Sequence, residues 1–502
     1  MKRLIGCGLF CLFYLFSYGQ EPLNTYRLEY FGSVATGAHT PFWTVNHHWG
    51  ATALEANNFY MRAGLFHQQT IARDLLFDFG IDIAGGNHSN YGTLWVQQLY
   101  GRLQWKKLRL DMGSREDYLS LLNPRLSSGD IMNSNHARPH PQIRGSLADF
   151  LLVPYTKQNV YLKADFSIGG YLDGKWLENR AYPTLHNYAK NVLSHSKSLY
   201  FRFGNIETQH RQQFTFGFAH KAQWGGVLVQ EDYQQPGTFI IYDQPQNPDA
   251  FIRMLIAKEG SPKASPSDQA FVSGSHWGAY LLKYDYKLKN NQYIHAYIQH
   301  PFEDGTGMIL QNYPDNLYGL EWRSQQRAWV SGVVLEYIYT KQQTGPIHLG
   351  NLGLDQNLGN VIKGGNDNYY NNVDYVQGPS YFGKTQGTPL FLSPEYNTDG
   401  SLNFKGNRIQ ALHLGIEGYL HPYLQYRVLL TSGQNWGKYY QPFTYVHTGF
   451  ASHLEFLYTF PKNSGWQARL ETGYDTGDFF GGTTFGASIT LTKRGLASCL
   501  CE

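Results

Sequence analysis

The sequence predicts an all-β fold: a single large transmembrane β-barrel of about 16 to 18 antiparallel strands, with short helical segments that plug or cap the lumen. Three observations lead to this prediction. The 502 residues include 38 Tyr, 30 Phe, 11 Trp and 53 Gly, a mixture typical of strands and tight turns. Apolar and polar residues alternate strictly over many segments. Tight turns also alternate with long polar insertions.

The alternation places an apolar face opposite a charged face. Every second residue from Val160 to Ile168 is apolar, and the same period recurs at 75–83 and 412–416. Because successive side chains of a strand point to opposite sides, each segment has one apolar and one polar side. The polar side carries carboxylates, among them Asp78, Asp82, Asp165 and Glu417.

Two architectures use strands of this kind. A secreted sandwich or propeller buries the apolar face in a protein core, whereas a membrane barrel turns that face to lipid and its charged face to a wet lumen. Segments of about 9 to 12 residues match tilted membrane strands. Aromatic residues also gather at the predicted strand ends, where a membrane interface favours them. These features favour the barrel, and the predicted girdle residues are Trp105, Tyr171, Trp322, Tyr339, Tyr419, Tyr458 and Tyr474.

The N-terminal segment has the pattern of a signal peptide. Two basic residues precede an apolar run at 4–16, and Gly19 offers a cleavage site. We therefore predict a signal peptide at 1–19 and one outer-membrane barrel domain at 20–502. Beyond residue 19, no apolar run approaches the length of a membrane-spanning helix.

Cysteine content and charge exclude other classes. Cleavage near Gly19 leaves only Cys499 and Cys501, so no disulfide framework is expected to hold the fold. The formal net charge of the whole chain is only +3. Such a balance excludes nucleic acid as a partner.

Long polar insertions are the expected location of function. They lie at 114–158, 172–197, 231–276, 301–316 and 341–407. Helical spacing predicts a short helix within 247–260, and a second one is expected within 184–196. A helix inside or beneath the lumen would plug it.

Motifs of enzymes and metal sites are absent from the sequence. We find no G-x-S-x-G, H-E-x-x-H, C-x-x-C or calcium-loop pattern. His47 and His48 are adjacent, and on a strand they would point to opposite faces, which suits chelation poorly. The lumen carboxylates are expected to be opposing wall charges and not a glycosidase pair. We therefore predict no enzymatic activity, no metal and no cofactor.

A basic ribbon at 133–145 is a candidate binding segment. It holds Asn135, His136 and Arg138, followed by His140 and Arg144, between prolines. Guanidinium and imidazole groups suit the recognition of an acidic sugar or a phosphate. The alternative is a loop packed within the lumen by hydrogen bonds.

Several segments, in their order along the chain, resemble the capsule assembly proteins of the Wzi family in the form found in Bacteroidetes. They are 122–145, 217–226, 302–322, 345–354 and 364–391. The resemblance covers nearly the whole chain after the signal peptide. It implies an outer-membrane barrel of about 18 strands, with a helical element closing the lumen, that acts as a surface lectin anchoring capsular polysaccharide.

The stretch GGNDNYYNN, at 364–372, has the side chains of a sugar site. Amides and a carboxylate bind hydroxyl groups, while tyrosine rings stack on the apolar face of a pyranose. The hypothesis is that this stretch lies at the barrel mouth and contacts polysaccharide. The alternative is that Asn and Gly supply turn conformations while the tyrosines pack into a plug. The candidate contact residues are Asn366, Asp367, Asn368, Tyr369 and Tyr370.

The sequence leaves three function classes. A polysaccharide-binding surface anchor is favoured by the resemblance and by the Asn/Tyr-rich loops. A diffusion or nutrient channel is favoured only by the barrel architecture, and an outer-membrane hydrolase has no motif to support it. The expected partners are capsular polysaccharide or exopolysaccharide, outer-membrane lipid and the polysaccharide export machinery.

Overall fold

The computed structural model describes residues 23–157, 159–184, 186–207, 210–232, 234–345, 348–350, 361–364, 367–461 and 464–497. The predicted signal peptide, Asn366, Cys499 and Cys501 lie outside the described residues. Among the described residues, no helix has the length and apolar character needed to cross a membrane.

The chain forms a closed barrel of 18 antiparallel strands, which confirms the predicted fold class. Each strand pairs with its neighbours in the sequence, and the first strand pairs with the last, from Thr25 opposite Leu496 to Ala35 opposite Gly486. A short segment, Leu151–Leu152, continues the sixth strand by pairing with the seventh. In chain order the strands are Leu23–Ala35, Asn58–Ala72, Leu75–His88, Gly92–Trp105, Leu108–Ser114, Gln142–Leu147, Val160–Gly170, Leu193–Phe203, Gln212–Trp224, Ser275–Lys287, Gln292–Phe302, Asn316–Ser324, Gly332–Tyr339, Ile409–His421, Leu424–Gly437, Pro442–Thr459, Trp466–Thr476 and Thr484–Leu496.

The remaining elements are short. Three strands, Tyr188–Lys190, Gly226–Glu231 and Phe239–Gln244, form a small separate sheet. Two two-stranded pairs join His348–Gly350 to Val361–Gly364 and Ser380–Tyr381 to Lys384–Thr385. The α-helices are Phe42–Val45, Gly174–Ala181, Pro248–Leu255, Pro266–Ala270 and Gly305–Met308, and the 3-10 helices are Tyr182–Thr184, Pro394–Tyr396 and Asp478–Phe480.

Connections at the two ends of the barrel differ in length. The end that holds both described termini has short connections such as 73–74, 106–107 and 422–423. The opposite end, called the loop end below, carries the long insertions. These are 36–57, 115–141, 171–192, 225–274, 303–315 and 340–408. The alternation of short and long connections is confirmed, although the sequence analysis did not single out 36–57.

The strand faces follow the predicted alternation. Leu412 is exposed on the outer wall, while the next residue, His413, is buried in the lumen. Met61 and Leu94 are 61% and 71% exposed on the outer wall. Arg62, beside Met61, is buried inside the barrel. An outer wall of exposed apolar side chains around a charged interior is the pattern of a barrel surrounded by lipid.

Outward aromatic residues mark part of the predicted girdle. Trp105, Tyr458 and Tyr474 are exposed on the outer wall. Tyr171 is buried in the connection at 171–192, where it packs near Tyr381, so its assignment to the girdle is wrong.

The connection at 115–141 fills the lumen and is called the plug below. Arg125 donates to Glu417 and Glu455, and Asn123 donates to Glu321. Further polar contacts reach strands all around the wall, including Gln98 to Glu116, Lys221 to the Met132 carbonyl, Lys283 to the Leu121 carbonyl, Ile131 to Gln299, and His413 to the Leu126 carbonyl. The plug therefore crosses the barrel interior.

The Phe42–Val45 helix adds to this filling. Its Phe42 amide donates to Asp475, and the Trp43 indole donates to Thr431 over 3.1 Å. Both aromatic side chains are fully buried. Short helical structure inside the lumen was predicted, but it comes from a segment that the sequence analysis did not assign.

The two helices expected from sequence have different outcomes. The helix Pro248–Leu255 exists, with the Asn247 side chain accepting from the Ala250 amide, but it packs against Ala222 and Trp224 on the outer wall. It therefore does not plug the lumen. The prediction of a helix within 184–196 is wrong, because Tyr188–Lys190 joins the small sheet and the barrel strand begins at Leu193.

We predict that Glu336→Ala loosens the plug without opening the barrel. The Glu336 carboxylate accepts from the Ser127 hydroxyl, the Ser128 amide and the Tyr297 hydroxyl, and removing a shared buried acceptor costs about 1–3 kcal/mol. Amide exchange at 126–131 should become about tenfold faster, measured by hydrogen–deuterium exchange in detergent micelles. The neighbouring outward variant Leu335→Ala should leave these rates unchanged. Equal rates in Glu336→Ala and the native chain would contradict this role.

Candidate functional site

The loop end of the barrel is covered by a cap above the plug. The cap consists of the Gly174–Ala181 helix, the three-stranded sheet and the segment 367–408. Leu177 and Ala181 of the helix pack with Tyr188, Val229 and Leu402 in one apolar cluster. This packing joins the helix, the small sheet and the segment 367–408.

A polar cleft of about 580 Å³ opens between the cap and the barrel rim. We call it the loop-end cleft. Its walls come from distant parts of the chain: 186–187, Glu231, 399–405 and 438–447. The lining combines amides and hydroxyls with charges and rings, namely His186, Asn187, Glu231, Val376, Asp399, Ser401, Leu402, Asn403, Lys405, Lys438, Gln441, Pro442, Phe443, Thr444 and His447.

One wall of the loop-end cleft carries an aromatic stripe. Phe443 and His447 are stacked, with ring centroids 4.0 Å apart and planes 11° apart. Tyr445 lies between them on the same side of the strand and is exposed, with its hydroxyl donating to Asp478. Ring faces beside amides are the combination that binds a pyranose.

The turn at 438–441 forms the edge of the cleft. The Lys438 amide donates to the Gln441 carbonyl, and Tyr440 is more than half exposed. Asn368 donates to the Tyr440 hydroxyl over 2.9 Å and accepts from Asn407 over 2.8 Å. Of the described residues predicted from GGNDNYYNN, Asn368 is thus the one that contacts an exposed aromatic residue beside the cleft.

The two tyrosines of that stretch are in the interior. Tyr369 is 2% exposed and its hydroxyl donates to Asp315, while Tyr370 is 4% exposed and its hydroxyl donates to the Ile131 carbonyl of the plug. No ring face is left for a glycan. The structure therefore corrects the hypothesis for Tyr369 and Tyr370: they pack into the plug, as the alternative stated.

Asp367 is also buried and accepts from the Thr344 hydroxyl. Three carboxylates meet the stretch 367–371 from different connections: Asp367 itself, Glu303, which accepts from the Tyr370 amide over 2.7 Å, and Asp315. Burial raises the pKa of Glu303 well above its usual value, that of Asp315 to about 7 and that of Asp367 to about 6. Their role is to hold the cap to the barrel rim.

The basic ribbon is packed inside the barrel. The His136 ring accepts from the His47 amide, the Asn135 side chain donates to the Pro124 carbonyl, and Arg138 lies over the rings of Tyr91 and Phe382 at 4.9 and 5.1 Å. Burial lowers the pKa of His136 to about 3, so this imidazole is neutral at physiological pH. The structure places Asn135, His136 and Arg138 in contacts within the barrel, as the packed-loop alternative stated.

The lumen carboxylates face arginines. Asp82 accepts from Arg27 and Arg62, and Glu417 accepts from Arg125. This arrangement agrees with opposing wall charges and does not resemble an acid–base pair.

Arginines also neutralise a carboxylate among the candidate metal ligands. Within the described residues, His453, Glu455 and Glu471 have ligand atoms within 4.8 Å of one another. Glu455, however, accepts from Arg125 and Arg427, which already balance its charge. We assign no metal there. His47 and His48 also diverge, since His48 contacts Glu471 while His47 packs edge-on against Trp43.

Sequence reasoning missed the residues of the loop-end cleft. Phe443, Tyr445 and His447 repeat aromatic rings at every second position of FTYVH, which follows the tyrosine pair at 439–440 after two intervening residues. That local pattern was the available signal. The partners at 186–187 and 399–405 carry no signal, because only the folded connections bring them together.

We predict that the cap becomes less stable as pH rises from about 5.5 to 8. A carboxyl with a pKa near 7 in the folded state, against about 3.9 when unfolded, stabilises the fold while protonated and loses that contribution above pH 7. Amide exchange at 342–343, corrected for intrinsic rates, should therefore be faster at pH 8. Asp315→Asn should flatten this dependence, and the exposed control Asp249→Asn should not. An unchanged or steeper dependence in Asp315→Asn would contradict the assignment.

Comparison with known proteins shows the fold. No family model and no curated protein matches the sequence. The solved structure of Wzi from Escherichia coli, described as an outer-membrane protein involved in group 1 capsule assembly and as a carbohydrate-binding β-barrel, has a TM-score of 0.55 at 12% identity and covers 93% of this chain and 83% of that one.

Two further solved structures superpose with lower scores. OccAB2 from Acinetobacter baumannii has a TM-score of 0.47 at 8% identity, covering 95% of this chain and 98% of its own. OprD from Pseudomonas aeruginosa has a TM-score of 0.45 at 9% identity, covering 95% and 94%. At these identities the likeness concerns architecture alone: this chain has the fold of an outer-membrane β-barrel.

Proposed function

We propose that this protein is an outer-membrane barrel that binds a surface polysaccharide, capsular or exopolysaccharide, at the loop-end cleft and retains it on the cell. The observation that carries the proposal is a lumen filled by the plug below an exposed cleft lined with rings and amides. The similarity in fold to the E. coli Wzi barrel, which is described as carbohydrate-binding, also supports this proposal.

The proposed orientation of the barrel in the membrane follows from the lengths of its connections. In outer-membrane barrels the short turns face the periplasm and the long loops face outward. The loop end would therefore face the exterior, where an extended glycan has access to the cleft. Outer-membrane lipid would contact the exposed apolar wall, which includes Leu28, Val34 and Leu320.

A diffusion channel is the less supported alternative. Residues of the plug bind wall side chains on many sides, and the cap covers the loop end of the same lumen. A solute would have to displace buried charge-assisted hydrogen bonds, each worth about 1.5–3 kcal/mol.

We propose no enzymatic activity and no cofactor. The lumen carboxylates Asp82, Glu417 and Glu455 are engaged in ion pairs with arginines, and the sequence lacks nucleophile and metal motifs. The export machinery remains a predicted partner, to which we assign no surface.

We predict that loss of the protein shifts polysaccharide from the cell to the medium. Total polysaccharide should stay constant while the ratio of cell-attached to released material falls, and the intact gene should restore it. Complementation with the double variant Phe443→Ala, His447→Ala should fail, because the stacking platform is lost.

The matched control is Phe450→Ala, an outward residue of the same strand, which should restore retention fully. Barrel abundance should be equal in all complemented strains. An unchanged ratio in the deletion strain would reject retention as the function.

A further inference from the structure

Lys438 is a buried cation without a counter-ion. Only 4% of the residue is exposed, and it lines the loop-end cleft. Among the described residues, no carboxylate lies within ion-pair distance of its ammonium group, whereas the neighbouring Lys405 is paired with Asp399 at 2.8 Å. The charged neighbour that acts on Lys438 is Lys405, and burial together with this like charge lowers the pKa of Lys438.

An ammonium group that is partly removed from water, with no carboxylate beside it, is less favourable than a paired one. An opposite charge or hydrogen bonds from a bound molecule would compensate for the lost hydration. The Tyr440 ring, 5.2 Å from the Lys438 ammonium, supplies only a weak cation–π contact. The missing partner is therefore expected from the occupant of the cleft.

The position of Lys438 suits a charged sugar. It starts the turn whose far side leads into Phe443, and Gly437 pairs with Pro442 across the two strands. Lys438, Phe443 and His447 line the same cleft, so one bound sugar chain can contact both the ring pair and the ammonium group. A lysine at such a place binds an anion as a compact point charge.

We propose that the retained polysaccharide is acidic and that an anionic group on one of its sugars, a carboxylate or a phosphate, pairs with Lys438 in the loop-end cleft. This inference rests on the proposed function and specifies its substrate class. Asp399 and Lys405, already paired, remain available to hydroxyl groups of the same chain.

The test measures binding of purified full-length protein in detergent to the polysaccharide released from the deletion strain. Lys438→Met should weaken binding at least about tenfold, as expected for the loss of one charge-assisted hydrogen bond. Lys438→Arg keeps the charge and should retain most of the affinity. The control Lys263→Met alters an exposed lysine that does not line the cleft and should bind like the native chain.

Chemical treatment of the polysaccharide identifies the anion. Carboxyl reduction with carbodiimide and borohydride removes carboxylates, and aqueous hydrogen fluoride removes phosphates. One of the two treated samples should bind the native protein as weakly as the untreated sample binds Lys438→Met. The affinity of the untreated sample should also fall as salt concentration rises.

The outcomes separate this inference from the function on which it rests. Equal binding by Lys438→Met, or unchanged binding after both treatments, would overturn the acidic-sugar assignment while retention stands. If the native protein binds none of the untreated polysaccharide, the proposed function fails and this inference fails with it. Heat-modifiable migration of each variant on gels confirms that the barrel is folded.

Discussion

The structure depends on neutralising the charges inside the barrel. The inward face of the wall carries carboxylates and guanidinium groups that a filled lumen removes from water, and an unpaired charge at such a place is strongly destabilising. The plug resolves this by supplying partners. Arg125 donates to Glu417 and Glu455, and Glu336 accepts hydrogen bonds from Ser127 and Ser128. Wall and plug are therefore complementary, and neither charge pattern is favourable without the other.

The filled lumen limits where function can lie. The outer wall is apolar and suited to lipid, and the plug occupies much of the interior, whereas the loop end carries an open polar cleft of about 580 Å³. The buried carboxylates Glu303, Asp315 and Asp367 fasten the cap to the rim, which keeps the cleft walls in place. A rigid scaffold that presents rings and amides in this way suits the binding of a long glycan better than transport through the barrel.

The sequence predicted the barrel well because strand alternation is a local property. His413 inward and Leu412 outward follow directly from a period of two. Counting the alternating segments predicted about 16 to 18 strands, and the barrel has 18. The plug and the cap were harder to predict. The stretch that holds Tyr369 and Tyr370 has a composition that suits sugar binding and internal packing equally. The helix expected within 184–196 failed because pairing of Tyr188–Lys190 with Val227–Val229 overrides local helical spacing. The cleft depends on contacts between residues more than 200 positions apart, which no local pattern encodes.

The most direct test is the conductance of the purified barrel in a planar lipid bilayer. With the plug bound to the wall around its circumference, the account predicts no steady current step of the size expected from an open 18-stranded barrel. A large and stable conductance of the native protein would show that the lumen is open. That result would contradict the filled-barrel account and favour the channel alternative.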